Sequence, residues 1–559
     1  MTDQLRFKGR ASALFIAFFM SFSAGAAVTA PAITLNATYD AGTISIPTSG
    51  TVEADGSNTA PPGAGINLTY AEGGTGSTDP CPTGGNCYYV DPTGSDSNNG
   101  RSGTPWATLG KVVSSKGSFT AGTHILLKRG ETWNENLLLT SMTGTESKPI
   151  VIGAYGSGNN PITNVVRVDG STWVTIRDLD ASQIDASYGA SYILVYNNIV
   201  SRDVNNNSIR FFGLSHHNTV YGNLVYNPAA QDGIVIHDAN FGAVNTQTDA
   251  GRSYWVVANT VIGDNTAEDL IDHGQGVATK NQGGSCSGII GDVKIVDNQL
   301  QQNVVSGLSN GTGANQFAIN SGHCGIGMWI IGNNISGGRN AGYQIIRDDD
   351  FRKDYQLSGN VSFMTGQAPK YDVLISGDNV YYEYNTVHRR IGGRGNLFVK
   401  KTSDNITVRY NLFSVDRSVT NGGVKDSWVA LEESIAQHSF VGSYNHFEDV
   451  QGTPDTPFIK DSSGNQTISG TSTTGVVPSI SAPVTVLDPR TWTNTIKTSF
   501  QPGSGWSRCA TPAGAYSCTG VRLGRTMRPF VSSLGGDGYG WRGHKIVQKY
   551  IKDQGLINE

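Results

Sequence analysis

LVYNNI (194–199), VYGNLV (220–225), VVANTV (256–261), IVDNQL (295–300), IIGNNI (330–335), LSGNVS (357–362), YEYNTV (382–387), VRYNLF (408–413) and GSYNHF (442–447) share one phrase, an asparagine set between two strand-like pieces. With IRDLD (176–180) in front, the markers are Asp178, Asn197, Asn223, Asn259, Asn298, Asn333, Asn360, Asn385, Asn411 and Asn445. A recurrence of this kind is the signature of a solenoid, because each repeat buries its apolar side only against its neighbours. The intervals are 19, 26, 36, 39, 35, 27, 25, 26 and 34 residues. Those of 25 to 27 set the minimal coil. An inward asparagine satisfies backbone groups at a bend and bonds the asparagine one coil away, which fixes the register of the stack. The expected fold is all-β, a right-handed parallel β-helix of about ten coils.

The three consecutive long intervals run from Asn223 to Asn333. Their surplus residues must leave the coil as adjacent loops of roughly ten residues, the place where a rigid scaffold builds a cleft.

Working outward, residues 88–485 are expected to form the helical domain, which would carry any catalysis, preceded by a Thr/Gly/Ser/Pro-rich spacer over 27–87. Arg6, Lys8 and Arg10 followed by an apolar run from Ala11 to Phe22 and by Ala24-Gly25-Ala26 read as a signal peptide over 1–26. The run is short for a membrane span, so the chain is expected to be secreted without an anchor. The net charge is −5, and −7 without that segment. A mildly acidic body disfavours nucleic acid as a partner and requires any polyanion to be held by locally gathered cations. Six cysteines fall as three near neighbours, Cys81 with Cys87, Cys286 with Cys324 and Cys509 with Cys518, and local disulfides are favoured by their short loops. Residues 486–559, with the helical piece GHKIVQKYIKD, read as a C-terminal cap.

At the front, YYVDPTGSDSNNG (88–100) is followed by TPWATLGKVVSS (104–115), whose Trp106, Leu109, Val112 and Val113 recur at helical spacing and suggest an N-terminal capping helix. HILLKRGETW (124–133), PIVIGAYGSG (149–158) and TWVTIRDLD (172–180) then read as the first strands. In this order the stretch resembles the front end of right-handed parallel β-helix proteins of the pectate-lyase-like superfamily. That resemblance implies a polysaccharide substrate and, since many members are lyases, cleavage of an acidic, uronate-containing polymer by β-elimination.

A second strand in each coil aligns through DGIVIHD (232–238), EDLIDHG (268–274), NQFAINS (315–321), GYQIIRD (342–348), YDVLISG (371–377), NLFVKKT (396–402) and WVALEES (428–434). Alternation then puts His237, His273, Asn320, Ile346, Ser376, Lys400 and Glu432 in one outward column. A lyase needs a cation to neutralise the uronate carboxylate and a base to remove the C5 proton. Arg347 is the candidate for the first, as a bidentate partner. His273 and Lys280 are the candidates for the second, with His237 alongside. Asp238, Asp269 and Asp272 form an oxygen-rich set suited to calcium, the one cofactor expected. Asn320, Tyr343, Lys400 and Lys401 would bind the rest of the chain. A glycoside hydrolase would instead pair carboxylates from Asp232, Asp269 and Asp272, and an adhesin would use the same scaffold without catalysis.

Overall fold

A computed structural model describes residues 80–200, 514–530 and 537–558, the strands and bends of the coils between 207 and 466, and five two-residue strands between Val28 and Thr59. Each coil contributes strands to three faces. The first face is a 13-stranded sheet running from Asn86–Val90 to Val441–Ser443. The second begins immediately after each marker asparagine, as in Leu224–Asn227 and Thr260–Asn265, and the third includes Ile209–Phe212, Ile234–Asp238 and Val277–Asn281. Strands of successive coils pair in parallel on every face, as Leu194↔Thr219, Leu224↔Thr260 and Ile234↔Val277 show. The chain is therefore a parallel β-helix. One apolar column fills it, from Val90 through Ile176, Val256, Ile330 and Val408 to Phe440.

The bend between the first and second faces explains the repeat. Asn223 accepts at Oδ1 from the backbone and the side-chain amide of Asn198, at 2.9 and 3.1 Å. Its own Nδ2 donates to Asn259 Oδ1 at 3.0 Å and to the Val195 carbonyl at 2.9 Å. The same bonds recur through Asn298, Asn333, Asn360, Asn385, Asn411 and Asn445. Each buried amide is thereby satisfied on both sides. Two markers shift by one residue. The rung is Asn198 rather than Asn197, and Leu179 rather than Asp178 stands at the front, donating its amide to Asn198 Oδ1. Asp178 and Asn197 occupy the position before the rung, which is left-handed in every coil. Its φ is 59° at Asp178, 52° at Asn197, 63° at Gly222, 53° at Ala258 and 55° at Asp297. Asparagine and aspartate tolerate this conformation, so they mimic the rung in sequence while serving the bend.

The C-terminal segment differs from an end cap. Residues 514–530 and 537–558 run back along the outside of the first face. The Gly514 amide donates to the Tyr410 carbonyl at 2.7 Å, Trp329 Nε1 to the Arg528 carbonyl at 2.8 Å, and Trp255 Nε1 to the Trp541 carbonyl at 2.8 Å. Next come His544, 2.9 Å from Thr219 Oγ1, and the helix Lys545–Asp553, whose Val547 and Ile551 pack with Trp255 and Val257. The cause is visible in the strands beneath. YWVV (254–257) and MWII (328–331) are apolar at inward and outward positions alike and need cover on both sides.

At the front, the helix Leu109–Ser114 is N-capped by the Thr108 hydroxyl, 3.0 Å from the Lys111 amide, and buries Leu109 and Val112. Cys81 and Cys87 form a disulfide, and Cys518 is disulfide-bonded. Cys286, Cys324 and Cys509 lie outside the described residues.

Candidate functional site

The third face carries two columns of residues, fixed by backbone register. One runs Arg167, Asp185, Arg210, Val235, Ala278, Asn320, Gln344. The other takes in Phe212, His237 and Lys280, and register extends it through Gly322, Ile346, Ser376, Lys400 and Glu432.

This corrects the expected column at two points. The strand beside Ile234–Asp238 is Val277–Asn281, so the neighbour of His237 is Lys280 and not His273. Asn320 pairs with Ala278 and Gln344 and belongs to the adjacent column. Leu270-Ile271 imitates a strand core better than VATK (277–280) does, which drew the alignment to the wrong segment. In the next strand the slip is two residues, and such a slip preserves the inward–outward alternation and leaves no trace in the pattern. Tyr343 stands in register with Ile319, Val373 and Leu397, all three buried in the core. Asp238 is the last residue of its strand. His273, Asp269, Asp272, Arg347 and Lys401 lie outside the described residues.

At the front of the face lies a charge cluster that the strand alignment missed. Asp185, fully buried, is ion-paired with Arg210, lies 3.4 Å from Arg167, and accepts a hydrogen bond from the Ser187 hydroxyl. Asp169 accepts from the Ser187 amide at 2.9 Å and lies 3.6 Å from Arg167. Burial and the neighbouring Asp185 charge raise the Asp169 pKa, against the pull of its hydrogen bond and the two arginines. The signal was present in VVRVDG (165–170), SQIDAS (182–187) and SIRFFG (208–213), where charged residues hold one strand position in three coils. These coils precede the first strand that was aligned.

Aromatic rings continue the surface. The Arg210 guanidinium lies 5.6 Å from the Phe212 ring, Phe212 is 5.1 Å from His237, and Tyr188, 61% exposed, meets Phe212 edge-on at 5.8 Å. Cations beside exposed ring faces suit a sugar chain, whose C–H faces pack on rings while carboxylates take the guanidinium N–H donors. Asp232, a hydrolase candidate, is 1% exposed two residues before the strand Ile234–Asp238, with its amide donated to Asn207 Oδ1 at 3.0 Å. That burial keeps it from approaching a scissile bond. Among the described residues no group of three His, Cys, Asp or Glu side chains could hold a metal ion, and with Asp269 and Asp272 undescribed no step below is routed through calcium.

A groove of about 890 Å³ follows the asparagine bend. Its charged groups already have partners within the protein. Asp297 takes Arg525 and the Tyr550 hydroxyl, Arg129 takes Asn160 Oδ1 at 2.6 Å, and Arg522 donates to the Gly332 and Gly359 carbonyls at 2.8 Å. It functions as the seam between coil and C-terminal segment.

No family model and no curated protein matches the chain. Among solved structures it is similar to a pectate lyase, Pel9A, at 17% identity over 61% of this chain and 80% of that one, with a TM-score of 0.39. A rhamnogalacturonan lyase matches at 15% identity over 67% and 90% with a TM-score of 0.40. A lacto-N-biosidase from Eubacterium ramulus matches at 14% identity over 70% and 68% with a TM-score of 0.36.

Proposed function

We propose that the chain is a secreted polysaccharide lyase that cleaves an acidic, uronate-containing polymer along the outer surface of the third face. The observation that carries this reading is the pairing of His237 with Lys280, two groups able to accept a proton, one strand spacing apart and one coil beyond the Arg167–Asp185–Arg210 cluster. Strand neighbours lie ~4.8 Å apart, so a polymer laid along the column meets a new coil about once per sugar ring.

In the reaction, a cation neutralises the uronate carboxylate and so acidifies the adjacent C5–H. Arg347, the residue after Ile346 in the sequence, is assigned this role as a bidentate partner of the carboxylate. Lys280 in its neutral form, or His237 beside it, removes the proton. The C5–H electron pair forms the C4–C5 double bond, the C4–O bond breaks, and the leaving oxygen takes a proton from the conjugate acid of the base or from water. Arg210 and Lys400 hold carboxylates farther along the chain.

The test is incubation with a panel of uronate polymers while following the ultraviolet absorbance of the unsaturated product. The expected result is unsaturated ends from at least one polymer, falling on the order of a hundredfold or more in rate for Lys280→Ala or His237→Ala. New reducing ends without unsaturation would make the protein a hydrolase, and saturable polymer binding with neither signal would make it an adhesin; either outcome overturns the reading.

A further inference from the structure

The C-terminal segment covers the outside of the first face from Thr219 to Tyr381 and, among the described residues, reaches the earlier coils only at Trp173 and Tyr192. Two outward columns run there, His124, Val151, Thr175, Leu194 and Gly153, Arg177, Tyr196. Between them and the start of the helix Lys545–Asp553 is a groove of about 650 Å³. That volume lies within the ~300–1,000 Å³ of ligand sites.

Three features of the groove point to an anionic occupant. Gly153 has no side chain in front of Arg177, where an added Cβ would come within 3.3 Å of the Arg177 Cγ, so the arginine lies flat along the groove. The Arg177 side chain is 14% exposed, and its ion pair with Asp178 is a loose 3.9 Å. Among the described residues the rest of its donor fork has no hydrogen-bond partner. Beside it, His124 Nδ1 is buried with no hydrogen-bond partner, an unmade bond that a ligand oxygen or a water would complete. Opposite, the helix begins at His544 with no side-chain cap; Lys545 and Ile546, whose amides precede the first helical hydrogen bond, line the groove, and Lys545 is exposed. Glu146 is the carboxylate on the rim.

The remaining wall is aromatic. Trp173 and Tyr192 stack at 4.5 Å, and Trp541 meets Tyr192 edge-on at 6.0 Å. A wall of rings facing a buried guanidinium is the arrangement that selects a sugar carrying a negative charge over either a bare anion or a neutral sugar.

We propose that this groove is a second saccharide site, separate from the third face, which holds a uronate residue with its carboxylate on Arg177 and its ring against the Trp173–Trp541 wall. The choice of uronate among charged sugars rests on the proposed function; the anionic, ring-packed character of the site does not. The first coils and the C-terminal segment build it together, so a polymer held here is tethered to the protein away from the bond being broken.

The test uses the full chain carrying His237→Ala, so that cleavage does not consume the probe, and follows tryptophan fluorescence and calorimetric heat during titration with a galacturonate trimer, a neutral galactose trimer and inorganic phosphate. The galacturonate trimer should bind saturably, the neutral trimer and phosphate at least about tenfold more weakly. Arg177→Gln should raise the Kd about tenfold. Lys545→Glu, at an exposed position that leaves the fold intact, should raise it several-fold. Equal binding of phosphate and trimer, or a Kd unchanged in both variants, overturns the second site. Trimer binding lost in Arg177→Gln from a protein that shows no lyase activity leaves this site standing and removes the proposed function instead.

Discussion

Lys294 and Arg210 are built from the same parts and do different things. Lys294 lies on the first face, ion-paired with Asp292 and placed 5.1 Å from each of the Trp255 and Trp329 rings. Arg210 lies on the third face, ion-paired with Asp185 and 5.6 Å from the Phe212 ring. The C-terminal segment makes the difference. It passes over Lys294, which is wholly buried and donates to the Trp541 carbonyl at 3.1 Å, and Asp292 accepts from the Trp541 amide at 2.9 Å. Burial lowers the Lys294 pKa, with Asp292 pulling the other way. Nothing among the described residues passes over Arg210, whose side chain keeps 22% of its surface. A cation among rings and a carboxylate is thus a fastening where the chain covers it, and a candidate for ligand binding where the chain leaves it open.

The largest effect expected is at the covered cluster. Lys294→Ala leaves Asp292 buried without its counter-charge and should cost about 3–5 kcal/mol in urea denaturation. Lys294→Met combined with Asp292→Asn should recover most of that, since the neutral pair carries no buried charge and Asn still accepts from the Trp541 amide. A small loss from Lys294→Ala alone would show that the segment does not seal the pair from water. At the open cluster the order reverses. Arg210→Gln leaves Asp185 with Arg167 and Ser187, so stability should fall by about 1–2 kcal/mol, whereas kcat/KM on a uronate polymer should fall at least about tenfold. Equal activity in the variant would reduce Arg210 to a second fastening.

The two clusters also differ in how far the sequence discloses them. The asparagine phrase carries the scaffold because its residues bond to their own copies, so the periodic constraint is written into the chain at every coil. The first-face cover is half visible: YWVV and MWII announce strands buried on both sides, but nothing in them says that residues 514–530 and 537–558 supply the cover. The third face is the least legible. Its function depends on which residues align across coils, and hydrophobic alternation fixes that only to a multiple of two. Asn320 fell into the wrong column for this reason, and Lys280 was found beside His237 only through the pairing of Val277–Asn281 with Ile234–Asp238.

Acid should separate the regions further. Burial pushes the His544 pKa down to about 4 from its ordinary 6.5, only partly offset by the bond to the Tyr192 carbonyl, and burial followed by the Arg177 charge does the same to His124. A histidine held neutral in the folded state is protonated more readily in the unfolded one. The contribution is therefore complete above pH 6.5 and is lost as pH falls from 6.5 toward about 4, with no further loss below. Urea midpoints should drop across that window, and His544→Gln should flatten the decline. A slope unchanged in the variant would place the acid sensitivity elsewhere than at the junction of helix and sheet.

The smallest effect tests the bend itself. Ala258 holds φ at 53° in the column where Gly222, Gly332 and Gly359 sit, and an L side chain in that conformation costs roughly 1 kcal/mol. Ala258→Gly relieves that cost but removes a methyl that packs against the covered cluster, so a net gain of roughly 0.5 kcal/mol is expected. Asp297, with φ 55° one coil on, should respond in the opposite sense: its carboxylate takes Arg525 and, at 2.5 Å, the Tyr550 hydroxyl, and Asp297→Gly surrenders both. Backbone relief there is outweighed by two charge-assisted bonds worth about 1.5–3 kcal/mol each. If both substitutions stabilised the protein, the C-terminal segment would be contributing little at this coil, and the separation between the covered and open faces would rest on Lys294 and its tryptophans alone.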